Sequence, residues 1–375
     1  MLADEWRTGD TFAQRLQVDS RSIEFSNSGV NDAIRKLHRS RLASEQAIIA
    51  LGRNGGTPAQ IAEMYFAQAY VENMMAEYLC NGIAISTVRD GVEQYGPQLT
   101  TAAVYNRALA HADSALASTP SNRVRDAARV LRGRILLNQG KFAEAAAAVS
   151  GVATTFAYSH QHSQTTRDNV NWSANNNSRR YTVGNNEGTN GLNFATANDP
   201  RLPVCLGGST ACRTAGFTQS RPFNTLTPTP LYIQLKWANR ADSMAIADGV
   251  EARLIEAEAA LEKGASAGYL PILNTLRATR TGLAPLTDPG TAAGRVDQLM
   301  RERAFWMFGT GHRLGDLRRL VRQYGRTQES VFPIGNYAEG GTYGSDVNFP
   351  ITQAEQNNPE VKSNGSQNLC FDRSA

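Results

Sequence analysis

Apolar residues recur at helical spacing in separate stretches of this chain, with aperiodic polar segments between them. From about 31 to 51, Ile34, Leu37, Leu42, Ile48 and Ile49 fit a long helix, and Gly52, Gly55 and Gly56 break it. Pro58 suits a first helical turn. Phe66, Ala69, Tyr70 and Met74 then share one face of a helix over about 58–80. Tyr105, Ala108, Leu109, Ala112 and Leu116 stripe a helix over about 101–118. Further helices span about 123–139 and, after Gly140, 141–149. Val250, Leu254, Ala257 and Leu261 line another, stopped at Gly264, with a partner from Leu270 to Leu283. Val296, Leu299, Met300, Ala304 and Met307 mark a helix over about 292–308. Gly309-Thr310-Gly311 interrupts it, and helical spacing resumes at His312.

The wording of the middle helices is that of a tetratricopeptide repeat. Ala-Leu-x-x-x-Pro closes one helix, Leu-x-x-Gly the next, and an aromatic with Glu-Ala follows. Small residues let antiparallel helices approach closely. The expected fold class is therefore mostly α, with tetratricopeptide-like helical hairpins and a large irregular loop-rich insertion. A single domain over 1–375 is expected to contain hairpins at 31–152, the insertion at 153–240, a hairpin plus two further helices at 241–325, and a loop-like tail at 326–375. Residues 1–30 read as polar and irregular. The insertion holds ten asparagines between Asn169 and Asn198, a composition that usually means disorder. Its embedded aromatics, Trp172, Tyr181 and Trp237 among them, argue instead for an ordered loop on a rigid support.

Composition excludes several classes. With 38 basic and 34 acidic side chains the net charge is only +4, without the clustered basic face of a nucleic-acid binder. Only five of the basic residues are lysine, a bias that records genome composition more often than function. No apolar run approaches the ~18–20 residues of a membrane-spanning helix. Asp4, Glu5, Arg7 and Asp10 stand where a secretory signal would be apolar, and no cysteine near the start offers a lipid-attachment site. Taken literally, that is the start of a cytoplasmic protein; a late start codon would look the same. Cys80 reads as a buried small hydrophobe. Cys205 and Cys212 flank a short loop, and the sequence leaves open whether they close a disulfide or stay two unrelated thiols.

Candidate chemistry is sparse. His160 and His162 offer two metal ligands where three or four must converge, so no metal or other cofactor is expected. His312 and Asp316 stand one helical turn apart, but Arg301, Arg303, Arg313, Arg318 and Arg319 crowd them. An ion-pair cluster pinning two helices is the better reading, with Glu302, Arg313 and Asp316 as its structural members. No phosphate loop, dinucleotide turn or nucleophile motif occurs, so no catalytic residue is nominated. Trp172, Asn175, Arg180 and Tyr181 differ, because aromatic faces stack on sugar rings while amide and guanidinium groups bind hydroxyls. They form the expected ligand-binding set, joined by Trp6 and Tyr343 from neighbouring loops.

From Leu299 to Arg319 the chain resembles the signature of the SusD/RagB family, Glu-Arg-x-x-Glu-(Leu/Phe)-x-x-Glu-Gly-x-Arg-x-x-Asp-Leu-(Arg/Lys)-Arg. Glu302, Arg303, Gly311, Arg313, Asp316, Leu317 and Arg318 match it, while Thr310 replaces one glutamate. Similar stretches follow in family order: Asp4-Glu5, Asn198-Asp-Pro-Arg201, Glu251 to Ala259, Leu273-Asn-x-Leu-Arg277 and Phe349-Pro-Ile351. The resemblance implies a SusD-like fold. It also implies a non-catalytic lipoprotein on the outer face of the outer membrane, where it caps a TonB-dependent, SusC-like transporter and captures glycans or peptides. The missing signal and lipid-attachment cysteine then read as a truncated gene model, with an unexported paralogue as the alternative. The competing function is a soluble tetratricopeptide-type scaffold that binds a protein partner. The long aromatic-bearing insertion favours nutrient capture.

Overall fold

The computed structural model describes residues 1–118, 120–262, 266–361 and 369–375. Its helices are α1 Ala13–Asp19, α2 Ser28–Arg53, α3 Pro58–Tyr78, α4 Thr101–Ala117, α5 Asn122–Asn138, α6 Phe142–Val149, α7 Thr210–Thr214, α8 Gly249–Glu262, α9 Ser266–Ala278, α10 Ala292–Trp306, α11 Arg313–Arg322 and α12 Gln328–Val331. The chain divides into two compact units, each assembled from separate segments, where the sequence suggests one domain cut into consecutive pieces. A helical unit comprises Ile23–Tyr158, Ala247–Ala259 and Asn348–Ala375. A mixed unit comprises Met1–Ser22, Ser159–Ile246 and Ala260–Val347.

In the helical unit, side chains fix where helices begin. Asn27 accepts the Val30 N–H and starts α2 three residues before the apolar period shows it. Thr57 and Gln60 form a reciprocal capping box ahead of α3, with Pro58 in the first turn. Helix α3 packs on α2 and α4, α4 on α5, and α5 on α6. Ala62, Ala69 and Ala76 on α3, Ala108, Ala112 and Ala115 on α4, and Ala127 and Ala128 on α5 are all fully or almost fully buried. These small faces allow the close approach that tetratricopeptide hairpins need. Arg134 on α5 grips Glu251 on α8 through two hydrogen bonds of 2.5 and 2.6 Å. Gly264, read as the stop of α8, lies outside the described residues.

The tail belongs to this unit as well. Phe349 donates its N–H to Tyr78 O, and its own carbonyl accepts from Cys80 N–H. The reading of Cys80 as a free apolar side chain is corrected: it is bonded to Cys370, 290 residues away, with Cα atoms 5.9 Å apart. Burial makes a half-cystine and a small hydrophobe look alike in sequence, and spacing carries no sign of so distant a partner.

In the mixed unit the opening residues are ordered, contrary to the irregular start expected. Trp6–Thr8 forms a strand antiparallel to Tyr181–Val183, with Trp6 opposite Val183. A second ribbon pairs Val204–Leu206 with Tyr232–Gln234. Trp172–Asn177 forms one π-helical turn. Trp6, Val183, Phe194, Leu202, Trp237, Ala304, Phe305 and Phe308 make one buried cluster. Lys236 donates from Nζ to the carbonyls of Trp306 and Phe308, satisfying the end of α10. The chain leaves α10 through Gly309 at φ +72°, where a Cβ would lie 2.8 Å from the Trp237 ring and 3.0 Å from Asn171 Nδ2. The conformation and the space both demand glycine there.

Candidate functional site

The signature residues form a buried ion-pair network, wider than a pin between two helices. Asp316 on α11 does join α10: it accepts from Arg303 Nε and Nη2 at 3.1 and 2.9 Å, and also pairs with Arg319 at 2.9 Å. Glu302 and Arg313 reach further. Glu302 takes Arg201 at 2.6 Å and Arg277 at 2.7 Å, while Arg313 clasps Asp4 at 2.7 and 2.8 Å. The separate sequence stretches around Asp4, Arg201, Arg277 and 299–319 thus meet in one structure. Burial would raise the Asp316 carboxyl, but the Arg303 and Arg319 guanidiniums outweigh it and hold the group below the carboxylate range. Asp4 is lowered in the same way by Arg313. Its neighbour Glu5 makes no ion pair among the described residues: burial pushes it up to about 7 against the opposing Gly309 N–H, the N-terminal ammonium and the charge of Arg313. His312 is buried, with Nδ1 2.8 Å from Thr310 Oγ1. His312 and Asp316 are both buried inside the fold.

The expected ligand set divides. Asn175 is corrected: it is fully buried, its amide donates to Tyr181 O and Tyr232 O, and its oxygen accepts from Gln234 N–H. Both amide hydrogens and the oxygen of the side chain stitch the π-turn to two strands. Trp6 is also corrected, since it is 8% exposed and packs 4.9 Å from the Phe308 ring. Both are polar-loop residues by sequence and interior residues by tertiary packing. Trp172 is half-buried with the Arg240 guanidinium 5.7 Å from its ring. Tyr343 is half-buried and donates to Glu187 at 3.1 Å. Tyr181 is half-buried, 6.4 Å from Trp6 between ring centroids.

Arg180 sits in a different setting. Its guanidinium lies 4.0 Å from the Phe223 ring and 4.8 Å from the Phe12 ring, and both phenyls are about half exposed. Arg180 Nη1 donates to Asp10 at 3.0 Å, and Arg15 pairs with the same carboxylate oxygen. Arg15 also lies 5.2 Å from the Phe12 ring. Three chain segments build this platform. Gly9 N–H donates to Arg180 O at 2.7 Å, Asn224 N–H to Gly9 O at 3.0 Å, and Phe223 N–H to Arg179 O at 3.1 Å. A Cβ on Gly9 would lie 2.4 Å from Arg179 O, so only glycine permits the approach. Cys205 and Cys212 are bonded, with Cα atoms 5.3 Å apart. They pack with Leu231 and Ile233, with Phe217 and Leu235 against them. Sequence reading missed Phe12 and Phe223, because each is an isolated aromatic in a polar stretch.

An α-helical repeat scaffold joined to a loop-rich unit, with a buried arginine–carboxylate signature, defines a class of proteins. Residues 251–371 match the model of the SusD family, and the fold is SusD-like. A SusD superfamily protein from Parabacteroides distasonis superposes with a TM-score of 0.69 at 14% identity, over 97% of this chain and 92% of that one. The surface glycan-binding protein A of Bacteroides uniformis gives 0.69 at 14% over 98% and 92%. A SusD-like carbohydrate-binding protein of Bacteroides fragilis gives 0.67 at 15% over 96% and 91%. No curated protein matches the sequence.

Proposed function

We propose that this protein is a non-catalytic glycan-binding subunit of an outer-membrane, TonB-dependent uptake complex, displayed on the outer face of that membrane. The observation that carries the reading is the platform of Phe12, Arg180 and Phe223 on a SusD-like fold. Half-exposed phenyl rings beside a fixed, partly exposed guanidinium offer what a sugar needs: a flat apolar face with hydrogen-bond donors at its rim. Two solved structures of this fold carry glycan or carbohydrate binding in their names. Arg180 directly precedes the strand that Tyr181 opens, and Trp172 and Tyr343 remain part of the proposed ligand surface as half-buried rings of the same unit. The disulfides fit an oxidising compartment. The helical unit offers the surface for a SusC-like transporter.

The test is a glycan and peptide panel titrated calorimetrically against the purified protein, with co-purification of a TonB-dependent transporter from the native membrane. Saturable binding of an oligosaccharide, weakened by Phe223→Ala, supports the reading. Binding of peptides alone, or stable capture of a soluble protein through the hairpins with no glycan bound, would replace it with the scaffold function.

A further inference from the structure

Sugars of neutral and acidic character ask different things of a surface, and the platform's charge separates them. The three segments that build it carry Arg15, Arg179, Arg180 and Arg221; Asp10 pairs with Arg15 and Arg180, and the carboxylate of α1, Asp19, is buried and accepts from Thr8 N–H. Arg7 lies on the same strand but is held by the buried Glu339 at 2.9 Å and adds nothing to the excess. Asp10 is itself shared between Arg15 and Arg180 and has no exposed side-chain surface. Around it, Arg179 Nη1 reaches back to Arg221 O at 3.4 Å, which keeps these cations on adjoining segments.

Arg180 is the residue this arrangement prepares. Two phenyl rings and Asp10 fix its guanidinium, so little rotamer freedom remains to be lost on binding. Its Nε and Nη2 make no hydrogen bond among the described residues, and about a quarter of the side chain is exposed. A planar fork with one edge free is the shape that takes a carboxylate or sulfate through parallel hydrogen bonds.

We propose that the platform selects acidic glycans, with the carboxylate or sulfate of one residue on the free edge of Arg180 and a sugar face on Phe223 or Phe12. The proposal rests on the glycan reading above and narrows it to a ligand class. A neutral sugar leaves the cation excess unanswered; an anionic one compensates it.

The experiment titrates the full chain with oligogalacturonate, with the same oligomer fully methyl-esterified, with chondroitin sulfate oligosaccharides and with a neutral galactose oligomer. Variants Arg180→Lys and Phe223→Ala are measured in parallel, and thermal melts confirm their folding. The expected result is binding of at least one acidic oligomer, at least about tenfold tighter than its neutral counterpart and weakening as salt rises. Arg180→Lys, which keeps the charge and loses the fork, lowers that affinity by about tenfold or more. Ester and acid binding equally, with Phe223→Ala still harmful, overturns acid selection and leaves glycan binding at this platform standing. Acidic oligomers that bind indifferently to both variants overturn the site. Binding of neither acidic nor neutral oligomers removes the glycan reading and this proposal together.

Discussion

Arg201 and Arg180 have the same neighbours in kind and differ in burial. The Arg201 guanidinium lies 5.4 Å from the Phe305 ring and 5.3 Å from the Trp306 ring, with Asp199 and Glu302 sharing its donors. Arg180 likewise lies between two aromatic rings beside a carboxylate. Arg201 is 3% exposed at its side chain and has two carboxylates; Arg180 is 26% exposed and has half of one. Desolvated charge must be answered within the fold, so the first arginine is consumed by structure. The second keeps about a quarter of its side chain exposed, and the ligand is proposed to bind there. Composition of a cluster does not separate a brace from a binding site; the count of carboxylates and the burial do.

The buried half of the comparison yields the largest effects. Asp316→Ala removes the carboxylate shared by two buried guanidiniums and should cost about 3–5 kcal/mol, read as a lowered midpoint in urea. If the variant kept its stability but lost ligand binding, the brace would belong to the site and the contrast would collapse. Next is pH. Glu5 is raised from 4.5 to about 7 by burial, so the folded state holds a proton that the unfolded chain has already lost. Its contribution is full below about pH 4.5 and disappears as pH rises through 7, a loss of about 3 kcal/mol across that window. Glu5→Gln should flatten this part of the stability–pH curve, and an unchanged slope would assign it elsewhere.

Smaller effects probe the exposed half. Opening the Cys205–Cys212 bridge by Cys205→Ser and Cys212→Ser should cost about 2–3 kcal/mol for so short a loop. Alkylation followed by mass spectrometry shows whether both thiols are occupied in the oxidised protein. The same pair of changes should weaken the ligand more than stability alone explains, because the bridged loop leads to Phe223. Smallest in stability is Phe223→Ala. One exposed cation–π contact is worth about 0.5–1 kcal/mol, so its melting curve should barely move while glycan affinity falls. A large loss of stability would turn the platform into a second brace.

Much of this architecture is legible in the residues. Helical periods, Pro58 and the alanine faces locate the hairpins, and the arginine-rich run after Leu299 reads as an ion-pair cluster. What stays hidden is who pairs with whom. Glu302 shows one turn of neighbours in sequence, while its partners are Arg201 and Arg277. The binding set shows the same limit more sharply: Asn175 and Trp6 have the chemistry of a sugar site and are interior, whereas Phe12 and Phe223 stand alone in polar stretches and are the exposed rings of the proposed platform.

The sequence by itself determined the helices, their caps, the close-packing small residues and the family signature. Each is a property of neighbours within a few turns, where the backbone period brings side chains together without help. The tertiary structure alone decided the Cys80–Cys370 bond, the reach of the ion-pair network and the meeting of segments 9–12, 179–181 and 223–224. Those contacts join residues far apart in the chain, and burial, which separates Arg201 from Arg180, exists only once the chain has closed around them.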